Sequence, residues 1–298
     1  MATFRGAITA LITPMRDGDI DEPALAELVE SQIAGGIDGL VPCGTTGEAA
    51  TLSVAEHLRV VRVVKEAARG RVPVIAGAGA NDTRKAVELT RACHELGVDG
   101  VLHVTPYYNK PTQAGLVAHF TAVAQAAPVS VIVYNVPGRT GVDMSAATVA
   151  KLAAVPGIVG VKEATGDLHR AAQIRELCGP DFALLSGDDF TILPFLAVGG
   201  DGVISVVSNV IPGVIADLCR AAAAGVWERA RDLHQRQLPL TRALFLQSNP
   251  IPVKAAMALL GRCGPELRLP LLPLDPDGAE GRALAAELDR LGLRRSAS

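Results

Sequence analysis

Eight short apolar runs alternate with longer amphipathic segments along this chain, and that alternation restricts the fold more than any single motif. The runs are Gly6–Thr13, Gly39–Cys43, Val72–Ala78, Gly100–Thr105, Val129–Asn135, Ile158–Glu163, Ala183–Ser186 and Gly202–Val207. Each reads as a strand buried on both faces, as strands of parallel sheets are. The intervals carry helical spacing, as in Pro23–Ala34, Val54–Arg69, Thr83–Leu96, Gln113–Ala126 and Ser145–Ala153. Ser53-Val-Ala-Glu56 has the spacing of a capping box, with the serine closing a helix start and the glutamate reaching back. Gly97, Gly157 and Gly199 fall in turns that follow helices.

Strand–helix units recurring about every 20–35 residues predict an α/β chain folded as a (β/α)8 TIM barrel. A doubly wound sheet uses alternating elements too, but its dinucleotide fingerprint is missing: Gly77-Ala-Gly79-Ala-Asn-Asp82 lacks the third glycine. No Walker lysine follows Gly44-Thr-Thr-Gly-Glu48 either. Past Val207 the helical period continues through Val214–Ala224, Trp227–Phe245, Val253–Leu260 and Gly278–Leu293. One of these helices closes the barrel and the others form a C-terminal helical addition. The expected division is a barrel with the catalytic centre over 1–225 and a helical domain over 226–298. Pro265–Pro276 is expected to be an extended connection, and 294–298 a frayed end.

Composition removes several function classes. Net charge is −3 and aromatics are 3%, so neither a basic face nor a stacking platform for nucleic acid is available. The five cysteines are scattered with no CxxC pair, which points to reduced thiols and a cytoplasmic protein. The six histidines show no zinc-ligand spacing, so no metal is expected. The opening MATFRGAITALITP lacks a signal-peptide pattern, and no apolar run is long enough to span a membrane.

In a barrel the chemistry gathers at the C-terminal ends of the strands. Gly44-Thr-Thr-Gly-Glu48 follows the second strand, Tyr107-Tyr108 the fourth, Tyr134 ends the fifth, Lys162 the sixth, Ser186-Gly-Asp-Asp189 follows the seventh, and Ser205–Asn209 the eighth. All fall on one face. Lys162 sits in the β-branched run Ile158-Val-Gly-Val-Lys162, where burial would lower its amine pKa and leave a nucleophile able to form a Schiff base with a ketone. Lys254, early in a helix after Pro250-Ile-Pro252, is expected to be solvated or structural. Turn amides and hydroxyls at Thr45-Thr46 suit a small carboxylate, although a plain strand-to-loop turn reads the same way. Glu48 is expected to be a structural hydrogen-bond partner. Tyr134 could move protons or simply pack its ring. Tyr107 is expected to be an interface ring. Arg139, in the rigid loop Pro137-Gly-Arg-Thr-Gly141, could fork a carboxylate or only stabilise the loop. Asp188 and Asp189 are expected to cap the segment after the seventh strand rather than hold a metal.

GTTGEAATLS, VTPYYNKPTQ, YNVPGRTG, GVKEATGD, LLSGDD and SNPIPVKAAM resemble, in order and over essentially the whole chain, the 4-hydroxy-tetrahydrodipicolinate synthase (dihydrodipicolinate synthase) family of pyruvate-dependent class I aldolases. The resemblance implies condensation of pyruvate with L-aspartate-4-semialdehyde, in lysine and diaminopimelate biosynthesis, without a cofactor. It implies that Lys162 carries the imine and that Tyr134, Thr45 and Tyr108 relay protons, Tyr108 coming from a neighbouring subunit of a homotetramer (a dimer of dimers). Thr46 and the Ile204 backbone would hold the pyruvate carboxylate, with Gly187 in the same substrate site and Arg139 on the semialdehyde carboxylate. Asn81, His57 and Tyr107 match the family's allosteric pocket. Lys85 stands where many lysine-inhibited members carry an acid, so feedback inhibition is expected to be weak or absent. Gln247 departs from the usual acidic residue before SNPIPVK and leaves the C-terminal packing open. The rival readings are N-acetylneuraminate lyase or a 2-keto-3-deoxy sugar acid aldolase, which share the lysine and tyrosine but not Arg139, and a catalytically idle barrel kept for binding.

Overall fold

The computed structural model describes residues 4–294. The barrel strands are β1 (Gly6–Ala10), β2 (Gly39–Val41), β3 (Ile75–Gly77), β4 (Gly100–Val104), β5 (Ser130–Asn135), β6 (Ile158–Glu163), β7 (Ala183–Ser186) and β8 (Gly202–Ser205). All neighbours pair in parallel, from β2 through β1, β8, β7, β6, β5 and β4 to β3. A parallel bridge between Leu40 and Val74 joins β2 to the start of β3 and completes the ring. Eight strands in a nearly closed ring, in chain order, make a (β/α)8 barrel and exclude the doubly wound sheet.

The helices that follow the strands are α1 (Glu22–Ala34), α2 (Val54–Ala68), α3 (Thr83–Glu95), α4 (Gln113–Ala124), α5 (Ala146–Ala153), α6 (Leu168–Cys178), α7 (Ile192–Ala197) and α8 (Pro212–Ala223). Three more, α9 (Trp227–Leu244), α10 (Ile251–Leu259) and α11 (Ala279–Arg290), form the C-terminal addition. The expected capping box is present: Ser53 Oγ accepts from the Glu56 amide, and the Glu56 carboxylate accepts from the Ser53 amide. Pro265–Pro276 contains no regular element, in line with an extended connection. Apart from Arg294, the end expected to fray lies outside the described residues, as does the start of the segment read for a signal peptide.

Two differences from the sequence reading are local. A short hairpin, Met15–Arg16 with Asp19–Ile20, follows β1. Pro137–Thr140, expected as a loop, is one helical turn, started by the fixed φ of Pro137 and ended at Gly141 with a φ of 69°.

Side-chain alternation divides the apolar residues into two layers. Ala7, Leu40, Val74, Val101, Val133, Val161, Leu184 and Val203 point outward and pack under the helices. Ile8, Val41, Ile75, Leu102, Ile132, Leu185 and Ile204 fill the interior of the barrel. Tyr134 belongs to that interior set, and its register partner across the β5–β6 ladder is Lys162. The barrel therefore sets both side chains on its inner surface, near the strand ends.

Candidate active site

Lys162 is 6% exposed at the end of β6. Its Nζ lies 4.3 Å from the centre of the Tyr134 ring, and among the described residues no side chain accepts a hydrogen bond from it. Burial pushes its pKa down to about 8, the Asp189 carboxylate pulls it back up, and the Arg139 guanidinium lowers it further. Burial raises the Tyr134 phenol to about 12, against the pull of Arg139 and a hydrogen-bonding contribution from Thr45. Asp189 is buried and its carboxylate accepts from Ser205 Oγ at 2.5 Å and the Val206 amide at 2.8 Å. Burial lifts its pKa to about 6 despite those bonds.

Apart from Asp189, these groups open on a cavity of about 1060 Å³ above the barrel's C-terminal end. Thr45, Thr46, Tyr134, Arg139, Lys162 and Gly187 all border it. Gly187 matters through the atom it lacks. A Cβ there would stand 2.9 Å from Lys162 Cε and 2.6 Å from Ala164 Cβ, so only glycine leaves the lysine stem its place.

The Gly44–Glu48 loop is a tight turn with left-handed residues at both shoulders, Cys43 at φ 54° and Glu48 at φ 57°. Among the described residues the Thr45 and Thr46 amides have no acceptor, which leaves two donors for an anion. Thr46 is buried and Thr45 is exposed toward the cavity. Arg139 Nη2 donates to the Asn249 carbonyl at 3.1 Å. The turn therefore anchors the guanidinium at one end and leaves it at the cavity wall.

Two of the residues singled out lie elsewhere. Tyr108 is 88% exposed, with a φ of 73°, and does not border this chain's cavity. Ile204 is buried in the barrel interior beneath the cavity. Tyr107, in contrast, lines the outer part of the cavity together with His57 and Lys85. Asp188 caps the short turn after β7, accepting from the Phe190 amide at 3.0 Å. Asp189, also read as a cap, turns inward instead, because Ser205 and the amides at the end of β8 supply its donors.

Of the two expectations for Lys254, solvated or structural, the structure bears out the second. Lys254 is 0% exposed, and its Nζ meets Glu48 Oε1 at 2.5 Å. The second Glu48 oxygen accepts from the Arg268 amide at 3.1 Å. Glu48 is thus the structural hydrogen-bond partner expected, and the ion pair pins the Gly44–Glu48 loop to α10. Gln247 donates to the Glu280 carboxylate on α11, a contact that an acidic residue could not make without repulsion. Asn249 was not singled out: its Nδ2 donates to Thr46 Oγ1 at 3.0 Å. Its only sequence signal was membership of the SNPIPVKAAM segment.

The sequence model of the dihydrodipicolinate synthetase family matches residues 3–287. The chain belongs to the dihydrodipicolinate synthetase family. A relative within reach of that family name, the 4-hydroxy-tetrahydrodipicolinate synthase of Nitratidesulfovibrio vulgaris (strain DP4), is 57% identical over 272 residues, 91% of this chain and 93% of the relative. The crystal structure of dihydrodipicolinate synthase from Aquifex aeolicus superposes with a TM-score of 0.96 at 44% identity, covering 98% of this chain and 100% of that one. The chloride-inhibited dihydrodipicolinate synthase from Acinetobacter baumannii, complexed with pyruvate, matches at a TM-score of 0.95 and 44% identity over 98% of this chain and 100% of that one. The family's barrel and C-terminal helices are thus shared along nearly the full length. Among the described residues no helix is long and apolar enough to cross a membrane, and no cluster of three metal-ligating side chains occurs.

Proposed function

We propose that the chain condenses pyruvate with L-aspartate-4-semialdehyde through a Schiff base on Lys162, giving 4-hydroxy-tetrahydrodipicolinate for lysine and diaminopimelate biosynthesis. One observation carries the reading: in a member of this family, a buried amine with a pKa near 8 stands over the Tyr134 ring at the floor of the cavity. The neutral amine attacks the pyruvate ketone and water leaves. The iminium withdraws electrons from the methyl group, whose proton is removed to give an enamine. The enamine carbon attacks the aldehyde. The substrate's amino group then attacks the imine carbon, closes the ring and releases Lys162. The iminium serves as the electron sink, so these steps require neither a metal nor a nicotinamide.

The site residues take the following roles. Tyr134 donates a proton to the carbinolamine oxygen as water leaves and exchanges protons with the enamine, passing them through Thr45 and Tyr108. Thr46 and the adjoining amides receive the pyruvate carboxylate beside the Ile204 backbone, Gly187 leaves room for Lys162 and the substrate, and Arg139 holds the semialdehyde carboxylate. Tyr108 projects away from its own cavity, which fits delivery to a neighbouring subunit in a homotetramer built as a dimer of dimers. The free cysteines suit a cytoplasmic enzyme. We also retain the division into a barrel over 1–225 and a helical domain over 226–298, supported by α9–α11 following the last strand–helix unit.

The deciding experiment follows pyruvate consumption with L-aspartate-4-semialdehyde in wild type and Arg139→Ala. Turnover that collapses in the variant supports the synthase reading and the carboxylate role of Arg139. Absent turnover in wild type, with a borohydride-trappable pyruvate imine, moves the enzyme to the keto sugar acid aldolases. Absence of the imine as well supports an idle binding barrel.

A further inference from the structure

We propose that Asn249 is a positioning residue that aims the Thr46 hydroxyl at the carboxylate of pyruvate. The inference rests on the role given to Thr46 under Proposed function.

A threonine hydroxyl has one proton to give and two lone pairs. Here Asn249 Nδ2 donates to Thr46 Oγ1 at 3.0 Å and occupies one lone pair. The hydroxyl proton is thereby left for another acceptor, and both residues border the cavity. With the amide turned the other way, its oxygen would take the Thr46 proton. The hydroxyl would then present lone pairs to an anionic substrate. The direction of the Asn249 amide decides whether Thr46 attracts or repels a carboxylate.

The cost of this arrangement is visible. Asn249 is 7% exposed, and its Oδ1 is buried with no hydrogen-bond partner among the described residues. A buried acceptor without a donor loses its hydration and gains nothing in the folded chain. Such departures from full satisfaction concentrate where function demands a fixed geometry. The main chain of the same residue has a separate task, because its carbonyl accepts from Arg139 Nη2 at 3.1 Å. Asn249 therefore touches both groups assigned to substrate carboxylates, Thr46 through its side chain and Arg139 through its backbone.

That separation makes the inference testable in the full-length protein. Asn249→Ala and the nearly isosteric Asn249→Asp are compared with wild type in two assays: borohydride trapping over a range of pyruvate concentrations, and steady-state turnover with both substrates. Loss of a hydrogen bond that steers a charged group should raise the half-saturating pyruvate concentration about tenfold in the alanine variant. The aspartate variant should be affected more, because its carboxylate takes the Thr46 proton and repels the substrate. The KM for the semialdehyde should stay near wild type, because the backbone contact to Arg139 remains. Thr46→Val should raise the pyruvate value by itself, and Asn249→Ala added to it should raise it no further. Unchanged pyruvate dependence in both single variants overturns the inference. So does an equal rise in both KM values with a lowered melting temperature, which marks a structural role. Trapping needs no second substrate, so it judges Asn249 even if semialdehyde turnover is absent, and that absence counts against the proposed reaction alone.

Discussion

Tyr134 and Lys162 face each other across the β5–β6 ladder, and the lysine Nζ lies 4.3 Å from the centre of the phenol ring. The ring packs against the amine, and the proposed function gives the hydroxyl a separate task, moving protons. Tyr134→Phe keeps the first and removes the second. The variant should still form a pyruvate imine, while kcat falls about 10²–10⁴-fold, the usual range for losing a general acid–base group. A phenylalanine variant with nearly wild-type kcat would remove Tyr134 from the relay.

The amine itself should show its burial in a pH profile. Below its pKa of about 8 the ammonium form dominates, and only the neutral fraction attacks. The pyruvate-dependent trapping rate should rise about tenfold per pH unit below that value and level off above it. An unperturbed lysine would instead keep rising toward its usual value of 10.5. Stopped trapping with borohydride across the range distinguishes the two, and a continued rise past pH about 9 contradicts a depressed amine pKa.

Gly187 has no room for a Cβ. Gly187→Ala places a methyl group 2.9 Å from Lys162 Cε and forces the stem aside. A displacement of about 1 Å at a reacting group can cost on the order of 10²-fold, so trapping should slow by that amount with the fold intact by circular dichroism. Normal trapping in the alanine variant would show that the Lys162 stem can yield.

The Glu48–Lys254 pair makes a stability prediction. Both side chains are buried, and removing one partner leaves the other charge without compensation. Lys254→Met should destabilise the protein by about 3–5 kcal/mol in denaturant unfolding, and adding Glu48→Gln should recover part of that loss. If the double variant is no more stable than Lys254→Met, charge pairing is not what the helix α10 lysine supplies.

Lys85 lines the outer part of the cavity with His57 and Tyr107. An ammonium there repels the ammonium groups of free lysine, so wild-type turnover should be insensitive to submillimolar L-lysine. Lys85→Glu reverses the local charge and should introduce inhibition. Potent inhibition of the wild type in a steady-state assay would refute this.

The barrel was legible because two periods, one for strands and one for helices, alternate from Gly6 to Ala223, with short insertions such as the Met15–Ile20 hairpin between them. Positions near the strand ends then followed from topology, which is why Lys162, Tyr134, Thr46 and Arg139 could be placed around one cavity. Burial alone did not distinguish the two interior lysines. Lys254 is the more deeply buried, and what separates it from Lys162 is a carboxylate 206 residues away in sequence. Asn249 was missed for a similar reason: its partner Thr46 lies 203 residues upstream, and no local pattern marks a contact of that span. Asp189 looked like a cap beside Asp188, because adjacent identical residues carry no sign of which one turns inward. The helical turn at Pro137–Thr140 was hidden by Gly138 within it and Gly141 just after it, which read as loop.

The clamp that the last third of the chain places on the Gly44–Glu48 loop also has a temporal side. A chain leaving the ribosome is exposed from its N-terminus, so the barrel and Lys162 emerge before Asn249, Lys254 and Arg268. Until those residues arrive, Glu48 has no cation and Thr46 has no amide to set its hydroxyl. The amine read as the Schiff-base nucleophile is thus synthesised before the residues that fix the Gly44–Glu48 loop.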